Sequence, residues 1–271
     1  MPASTVIFLV FGSALALYLI VSLLIWLYLD RLVFYPTAPT SFTPQRWSAY
    51  RTTLVQPLAL LDGWILPGSC PDGPLVVYLG GNAESIEVNL NAFTRLGGSS
   101  VAVFSYRGYG ASSGTPTCSS VTADAAAIIR HLAVTCKRPT TDIVLIGRSL
   151  GAAVAIASAS QIPVGGLILI TPFPSLRAMV HRLAPWFPSH LVRQLNSLAT
   201  TARPMPEALF LIADDDAIVP PDLSLQLYHA WPTAKHLQRI PCGGHNGLQT
   251  DVRFHAAIDL FLERIAAAKS G

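Results

Sequence analysis

Charged side chains are scarce in this chain of 271 residues: Asp, Glu, Lys and Arg make up only 12% of it, whereas 51% is hydrophobic. Disordered chains have the opposite composition, so we expect this chain to fold. The net charge is +3 and the basic residues are scattered. Because no basic run is present that would form a nucleic-acid surface, we expect no nucleic-acid partner, and the length allows one large α/β domain.

Cysteine is also scarce, and its four copies lie far apart in the sequence. No C-x-x-C pair occurs, which argues against a zinc site or a redox motif, and we expect neither a metal nor a cofactor. Cys118 and Cys136 would be able to pair in an oxidising compartment. For most of the four we favour the alternative, buried free thiols.

Charge is absent altogether from one stretch near the N-terminus, Val6 to Leu29, which is 24 residues long. At about 1.5 Å per residue, a helix of this length crosses a hydrocarbon core of roughly 30 Å. The alternative is a cleaved signal peptide, but no Lys or Arg precedes the stretch, it is longer than a typical signal core, and no small-x-small cleavage site follows. We therefore predict a retained single-pass membrane anchor at residues 1–31, with Trp26 and Tyr28 at the membrane boundary.

The basic residues near the anchor bear on which side of the membrane the rest of the chain lies. Arg31, Arg46 and Arg51 all follow the anchor, which favours the cytoplasmic side because basic residues are in excess there. No N-x-S/T glycosylation sequence occurs. That absence agrees with a cytosolic domain and equally with a prokaryotic protein, so it does not decide the orientation.

Beyond a proline-containing connector at residues 32–44, apolar strands alternate with helices. Two short strands are predicted within residues 52–66, joined by a turn around Asp62-Gly63. Further strands are predicted at 75–79, 101–106, 142–146, 167–171, 208–213 and 236–240. Helices are predicted at 84–96, 121–134, 152–160 and 252–267. This alternation predicts an α/β fold, a mostly parallel central sheet whose crossovers place helices on both faces.

The sequence GRSLG at residues 147–151 matches the pattern G-x-S-x-G. It follows an apolar β-branched run and precedes a run of small residues, which is the strand-to-helix context that a nucleophile turn requires. The glycines would let strand and helix approach closely, and Ser149 would project as a nucleophile beside the positive end of the helix dipole. On its own, the motif is equally consistent with an ordinary turn between a strand and a helix.

A serine nucleophile needs a base and a group that orients the base. Of the seven histidines, His245 lies in a Gly-rich loop directly after a predicted strand, where a base would be free to reach Ser149. Three acids, Asp214 to Asp216, follow the strand at 208–213. The chain order Ser, Asp, His, each at a strand end, is that of one triad-bearing fold and differs from both classical protease orders.

Two Gly-rich loops follow predicted strands at the sheet edge where such folds bind ligands. In the first, residues 80–83, the N–H of Asn82 would stabilise a developing oxyanion together with the N–H of Leu150. The alternative for this loop is a simple tight turn. In the second, residues 106–110, we expect Arg107 to have a structural role by tying the loop backbone together.

Taken together and in this order, these motifs resemble the α/β-hydrolase superfamily, and within it the membrane-anchored serine hydrolases with a short lid. The resemblance rests on the sequences FYP at 34–36, GGNA at 80–83, YRGYG at 106–110, GRSLG at 147–151, DAIVP at 216–220 and GHN at 244–246. It implies an α/β-hydrolase fold over residues 32–271 with a triad of Ser149, Asp216 and His245. Asp216 is implied as the acid, rather than Asp214 or Asp215, because it stands two residues before the Ile-Val-Pro turn.

The chain departs from the family pattern at a few places outside the triad. Gly80 stands where the family usually has histidine, Ser105 where it usually has aspartate, Asn196 where an acid is common, and Ala213 where glycine is usual. These departures affect loop geometry and substrate preference and leave the implied reaction type unchanged.

Residues 172–204 lie where such enzymes carry a lid. The segment is apolar and rich in proline, with Phe173, Trp186 and Phe187 among its residues. Because an anchor is predicted on the same chain, we expect a lipid-facing cover over the acyl site. The alternative is a pair of connecting helices that only caps the core.

The expected activity is that of a serine hydrolase that cleaves acyl esters or thioesters, with a small molecule or a lipid as its substrate. Two alternatives use the same fold. One is a membrane-tethered scaffold with an idle triad, since a fold does not by itself imply a function. The other is an acyltransferase that passes the acyl group to an acceptor other than water, which the sequence does not separate from a hydrolase. The sequence specifies no oligomeric state.

Overall fold

The computed structural model describes residues 2–39, 45–70, 73–96, 98–192 and 194–270. Within these residues, eight strands join in one sheet: β1 (Arg51–Gln56), β2 (Ala59–Leu66), β3 (Leu75–Leu79), β4 (Ser100–Phe104), β5 (Ile143–Arg148), β6 (Gly166–Ile170), β7 (Ala208–Ala213) and β8 (Lys235–Ile240). Their order across the sheet is β1-β2-β4-β3-β5-β6-β7-β8.

The strand pairings set the place of the site. β1 and β2 form an antiparallel hairpin and β2 pairs antiparallel with β4, whereas the later pairings are parallel. Leu79 at the end of β3 lies opposite Gly147 near the end of β5. The loops that follow these two strands therefore leave the sheet side by side, at the carboxyl edge where open α/β sheets bind ligands.

Helices cover both faces of the sheet. The helices of the described residues are α1 (Ala3–Leu27), α2 (Leu29–Val33), α3 (Leu90–Phe93), α4 (Cys118–Thr135), α5 (Leu150–Ala159), α6 (Leu176–Leu183), α7 (Ser197–Thr200), α8 (Pro221–Ala230), α9 (Gly244–Gly247) and α10 (Val252–Ser270). Of these, α1 is almost wholly exposed and does not cover the sheet. Successive side chains of a strand point to opposite faces. In β3, Leu75 and Val77 accordingly join a core cluster with α4 and α5, and Val76 and Tyr78 join a cluster with α10. The predicted fold class is confirmed.

The predicted turn of the first hairpin at Asp62-Gly63 is wrong. The hairpin turns at residues 57–58, and both predicted turn residues lie inside β2. Asp62 is buried, and its Oδ1 accepts a hydrogen bond of 2.7 Å from Arg51 Nε. A Cβ at Gly63 would collide with the ring of Phe104. Both residues are therefore required by packing against neighbouring strands, which a local turn pattern cannot reveal.

The predicted helix at residues 84–96 is also wrong. A 3₁₀ turn (Ile86–Asn89) and the single helical turn α3 replace it. Glu84 accepts hydrogen bonds from Gly81 N at 2.6 Å, Tyr78 Oη at 2.8 Å and Asn89 Nδ2 at 3.0 Å. Because its carboxylate is held in the loop by these three donors, Glu84 does not begin a regular helix.

The other boundaries agree more closely with the prediction. β7 has the predicted bounds, and α10 has the predicted start but extends to Ser270. α4 begins at Cys118, three residues before the predicted start, because Thr117 caps it: Thr117 Oγ1 accepts a hydrogen bond of 3.0 Å from Ser120 N, and Ser120 Oγ binds back to Thr117 N. This reciprocal capping fixes where the helix begins. The helix α8 was not predicted.

Cys118 and Cys136 do not pair. They lie at opposite ends of α4, about 27 Å apart by helical rise, and all four cysteines are free. Cys118 is buried, and burial followed by the nearby Asp30 raises the pKa of its thiol to about 12. Cys136 is half-buried, and Cys70 and Cys242 are exposed, so the expectation that most of the four are buried is wrong, although all four are free as expected.

Arg107 is structural, but it does not tie loop backbone together as predicted. Its guanidinium donates to Asp124 on α4 through Nε at 2.6 Å and Nη2 at 2.5 Å. Both side chains are largely buried. This bidentate ion pair fixes the loop after β4 to the helix that covers it.

The N-terminal helix α1 is long and apolar enough to cross a membrane, by length and composition. It ends at Leu27, two residues before the end of the predicted anchor stretch, and α2 follows a break at Tyr28. Leu29 is buried, and Asp30 Oδ1 accepts a hydrogen bond of 3.0 Å from Cys118 N. The chain directly after α1 is therefore part of the folded core.

We expect Arg107→Met to lower the free energy of unfolding by about 3 kcal/mol, because it leaves the Asp124 carboxylate buried without its partner. Arg130→Met is the matched control, since Arg130 is exposed on α4 and should cost less than about 0.5 kcal/mol. Urea unfolding in detergent measures both. Equal stability of the two variants would contradict the structural role of this ion pair.

Candidate active site

Ser149 lies in a strained turn between β5 and α5. Its φ of 51° and ψ of −110° are unusual for a residue with a side chain. A Cβ at Gly147 would collide with Gly151 O, and one at Gly151 would collide with Leu79 O. Both glycines of the G-x-S-x-G pattern are therefore required by the close packing of strand and helix, as the motif predicts. The N–H of Ser149 donates to Ile170 O at 2.9 Å, which holds the turn to the next strand.

The three acids after β7 have separate partners. Asp214 Oδ1 accepts from Arg239 Nε at 2.7 Å. Asp215 accepts from the amides of Gly243 and Gly244, at 3.2 and 2.8 Å. Only Asp216, the acid implied by the family resemblance, contacts a histidine within the described residues.

Asp216 and His245 form a buried pair. Asp216 Oδ2 lies 2.7 Å from His245 Nδ1, and the side chains are 1% and 8% exposed. Asp216 Oδ1 accepts the amides of Ile218 and Val219, each at 2.8 Å. Because its other oxygen is occupied by two backbone donors, the carboxylate is fixed to accept a hydrogen bond from the N–H at Nδ1 through Oδ2, which leaves Nε2 of His245 as the free acceptor.

Ser149 and His245 line one open cleft of about 510 Å³, together with the loop at 81–84. No hydrogen bond joins these two side chains in the part of the chain that the structure describes. Such contacts are often long in an unliganded site and shorten when substrate binds. The cleft thus brings together the predicted serine, the predicted histidine and the Gly-rich loop after β3.

The two predicted oxyanion donors are the amide of Leu150, the residue after Ser149, and the amide of Asn82, which lines the same cleft as Ser149. Leu150 is the first residue of α5, so its N–H has no acceptor within the helix. Asn82 lines the cleft that contains Ser149, but its side chain binds residues outside that cleft. Asn82 Oδ1 accepts hydrogen bonds from Tyr35 N at 2.9 Å and from Tyr109 Oη at 2.7 Å, and Asn82 Nδ2 donates to Val33 O. These contacts hold the loop to the end of α2, to the connector that follows it and to the loop after β4, and they leave the Asn82 amide without a partner among the described residues.

The sequence analysis missed Arg148, which links three loops of the cleft. Its Nη2 donates to Asn246 Oδ1 at 2.5 Å and to His245 O at 3.3 Å. Its Nη1 lies 3.6 Å from Glu84 Oε2, the atom that accepts Gly81 N. The isolated charges Arg148 and Glu84, each inside a Gly-rich loop of an apolar chain, were the signal in the sequence.

Tyr78 completes this network below the cleft. Burial, followed by the charge of Glu84, raises the pKa of Tyr78 well above its usual value of 10, so Tyr78 stays protonated and donates to Glu84 at 2.8 Å. Beside it lies a small, mainly apolar cavity of about 90 Å³, which shares Glu84, Arg148 and His245 with the cleft. Among the described residues, no group of three or more His, Cys, Asp or Glu side chains is placed to hold a metal.

Comparison with known proteins agrees with this architecture. A model of the Alpha/beta hydrolase family matches residues 80–243. The uncharacterized protein Rv2307c of Mycobacterium tuberculosis is 34% identical over 234 residues, 83% of each chain. The uncharacterized membrane protein YNL320W of Saccharomyces cerevisiae is 30% identical over 205 residues, 72% of each chain.

Solved structures show the same fold. The Pyrococcus furiosus esterase Pf2001 superposes with a TM-score of 0.65 at 20% identity, over 85% of this chain and 98% of that one. The family match covers more than half of the chain and shows that the chain belongs to the alpha/beta hydrolase family. The likeness to the solved structure shows the same fold.

We expect Arg148→Met to raise the hydrogen-exchange rates of the amides at residues 81 and 244–247 about tenfold, because hydrogen bonds to charged groups contribute roughly 1.5–3 kcal/mol each. Arg239→Met is the control: it removes an ion pair with Asp214 at the outer strand β8 and should leave these amides unchanged. Exchange in both loops that is the same in Arg148→Met and in the parent protein would show that Arg148 does not hold them.

Proposed function

We propose that this protein is a serine hydrolase that cleaves carboxylic ester or thioester bonds through a triad of Ser149, Asp216 and His245. The observation that carries the proposal is the buried Asp216–His245 pair, which lies in one cleft with a serine at a strained strand-to-helix turn. Membership of the alpha/beta hydrolase family supports it. So does the likeness to a protein named an esterase.

In the first half-reaction, Ser149 Oγ attacks the carbonyl carbon of the substrate while His245 Nε2 takes the hydroxyl proton. Asp216 Oδ2 keeps the other imidazole proton on Nδ1 and stabilises the imidazolium that forms. The proton then passes to the leaving alcohol or thiol, and an acyl-serine remains. The two amides that bind Asp216 Oδ1 keep the carboxylate oriented throughout.

The negative charge of the tetrahedral intermediate needs fixed hydrogen-bond donors. We assign this role to the N–H groups of Leu150 and Asn82, as the sequence predicted. The first is supported by its position at the start of α5 and the second by the side-chain contacts that hold its loop. In the second half-reaction His245 removes a proton from water, which attacks the acyl-serine and releases the acid.

Residues 172–204 are proposed to cover this site as a lid. Phe173 and Met179, from the segment and its helix α6, form a small core cluster with Ala153 and Val219. Ala153 follows Ser149 on α5, and the amide of Val219 binds Asp216. The segment thus packs on the two elements that carry the serine and the acid, which supports a cover over the acyl site.

We further propose that α1 is a retained membrane anchor, so that amphiphilic acyl substrates meet the cleft at the bilayer surface. The helix has 25 residues, which rise about 37 Å and exceed a hydrocarbon core of roughly 30 Å. The yeast relative is named a membrane protein. The buried residues directly after α1 would hold the catalytic part of the chain close to the membrane.

Ser149→Ala should lower turnover of p-nitrophenyl esters about 10⁶-fold, because removal of a triad nucleophile disables the whole unit. Ser158→Ala is the matched control, since Ser158 lies on α5 with a buried hydroxyl that has no partner among the described residues. Its activity should stay near that of the parent. Hydrolysis that survives in purified Ser149→Ala would refute the proposed nucleophile, and a folded parent protein without activity on any ester would favour a scaffold.

Removal of α1 tests the anchor. Deletion of residues 1–27 should leave hydrolysis of short soluble esters nearly unchanged and lower the hydrolysis of long-chain esters presented in vesicles, because proximity to the bilayer is lost. The deletion stops before Leu29 and Asp30, whose contacts belong to the fold. Equal rates on vesicle-borne substrate with and without α1 would mean that the helix has no role in substrate access.

A further inference from the structure

Although the basic residues are scattered along the chain, the proposed lid carries a local excess of positive charge. Residues 172–206 contain four arginines and neither Asp nor Glu. The chain has 18 basic and 15 acidic residues, so without these four arginines 14 basic residues would stand against 15 acidic ones. All four arginines lie within residues 172–204, so the proposed lid has a net charge of +4 when its histidines are neutral.

Exposed apolar side chains lie close in the sequence to two of these arginines. Arg177, Arg182 and the apolar Leu183, Trp186 and Leu191 are all exposed, the last three by 79%, 53% and 41%. We refer to these five residues as the lid tip. Neither arginine makes an ion pair with an acid in the described part of the chain. Basic groups around exposed Trp and Leu side chains are the composition of a surface that lies in the membrane interface.

The same segment faces the N-terminal helix across a groove. The groove between them is lined by Tyr18, Ser22 and Trp26 of α1 and by Pro188 and Leu191. Ser22 is only 6% exposed, whereas most of α1 is exposed. The last third of α1 therefore packs beside the lid tip.

The length of α1 sets the depth of this contact. Its 25 residues rise about 37 Å, so about five of them extend beyond a hydrocarbon core of roughly 30 Å into the head-group layer. Counted from the opposite edge of the core at Ala3, these five are Leu23 to Leu27, with Tyr18 and Ser22 in the adjoining acyl region. Leu191, which lines the groove with them, would then lie at the boundary between head groups and acyl chains.

We propose that the lid tip binds the surface of an anionic phospholipid bilayer, with Arg177 and Arg182 on the phosphate groups and Leu183 and Trp186 among the upper acyl carbons. The inference rests on the proposed membrane anchor and is independent of the proposed triad. A planar guanidinium forms paired hydrogen bonds with phosphate oxygens. Contact with the bilayer would place the cover of the cleft in the layer where amphiphilic esters lie.

The test uses the full chain in nanodiscs, whose two faces are both accessible, so that orientation does not matter. One set contains phosphatidylcholine alone and the other phosphatidylcholine with 30 mol% phosphatidylglycerol. Hydrogen exchange is measured for peptides that cover residues 176–191. The main variant carries Arg177→Glu and Arg182→Glu together, and a milder variant carries Arg177→Gln and Arg182→Gln. The control variant is Arg130→Glu, because Arg130 is an exposed arginine on α4.

We expect slower exchange of these peptides in the phosphatidylglycerol discs than in phosphatidylcholine alone, by about fivefold for each arginine in contact with the surface. The two glutamate substitutions should abolish this difference, the glutamine pair should reduce it, and Arg130→Glu should preserve it. Equal exchange in both lipids would overturn the proposal. The proposal would also be overturned if inorganic phosphate, added to the phosphatidylcholine discs, slowed exchange as much as phosphatidylglycerol does. That result would identify a site for a free anion rather than a membrane surface.

If the anchor proposal or the triad proposal fails, the measured result differs from the one that overturns the lid-tip proposal alone. Loss of the anchor would appear as rapid exchange of α1 in both kinds of disc, and this result too would overturn the lid-tip proposal, because the contact requires α1 in the bilayer. Failure of the triad would appear as absent hydrolysis of soluble p-nitrophenyl esters, with the lipid-dependent protection of residues 176–191 intact.

Discussion

The close packing of α5 against β3 is the constraint on which the cleft depends. A side chain at residue 151 would collide with the carbonyl oxygens of Leu79 and Gly80. The start of the helix therefore lies against the loop after β3, and this contact brings Ser149 and Asn82 into one cleft. The left-handed backbone of Ser149 costs on the order of 1–3 kcal/mol, and the hydrogen bond to Ile170 and the buried strands on both sides hold it in place.

The few charges of this apolar chain are used to fix loops around the cleft. Asp215 binds the two amides that precede His245, and Asp216 binds the histidine itself. Arg148 joins the histidine loop to Glu84, whose carboxylate holds the loop after β3. The hydrophobic sheet provides a rigid platform, and a small number of charge-assisted hydrogen bonds set the position of each loop on it.

Much of this arrangement could be predicted from local sequence. β7 is an apolar run buried on both faces, so its bounds were apparent from composition alone. The order of serine, acid and histidine indicated the fold, and the Ile-Val-Pro turn pointed to Asp216. The errors arose where a distant partner decides the local structure: Gly63 packs against Phe104, and Glu84 binds Gly81 and Tyr78. A pattern along the chain contains no information on such contacts between segments.

If Ser149 carries the acyl group between two half-reactions, a covalent acyl-serine must form while substrate is being turned over. The most direct measurement is to mix the purified protein with excess p-nitrophenyl butyrate, quench in acid during turnover, and determine the masses of its peptic peptides. The proposed mechanism predicts a butyryl group on the peptide that contains Ser149, and its disappearance once the substrate is consumed. Release of p-nitrophenol without any adduct on that peptide would contradict the mechanism.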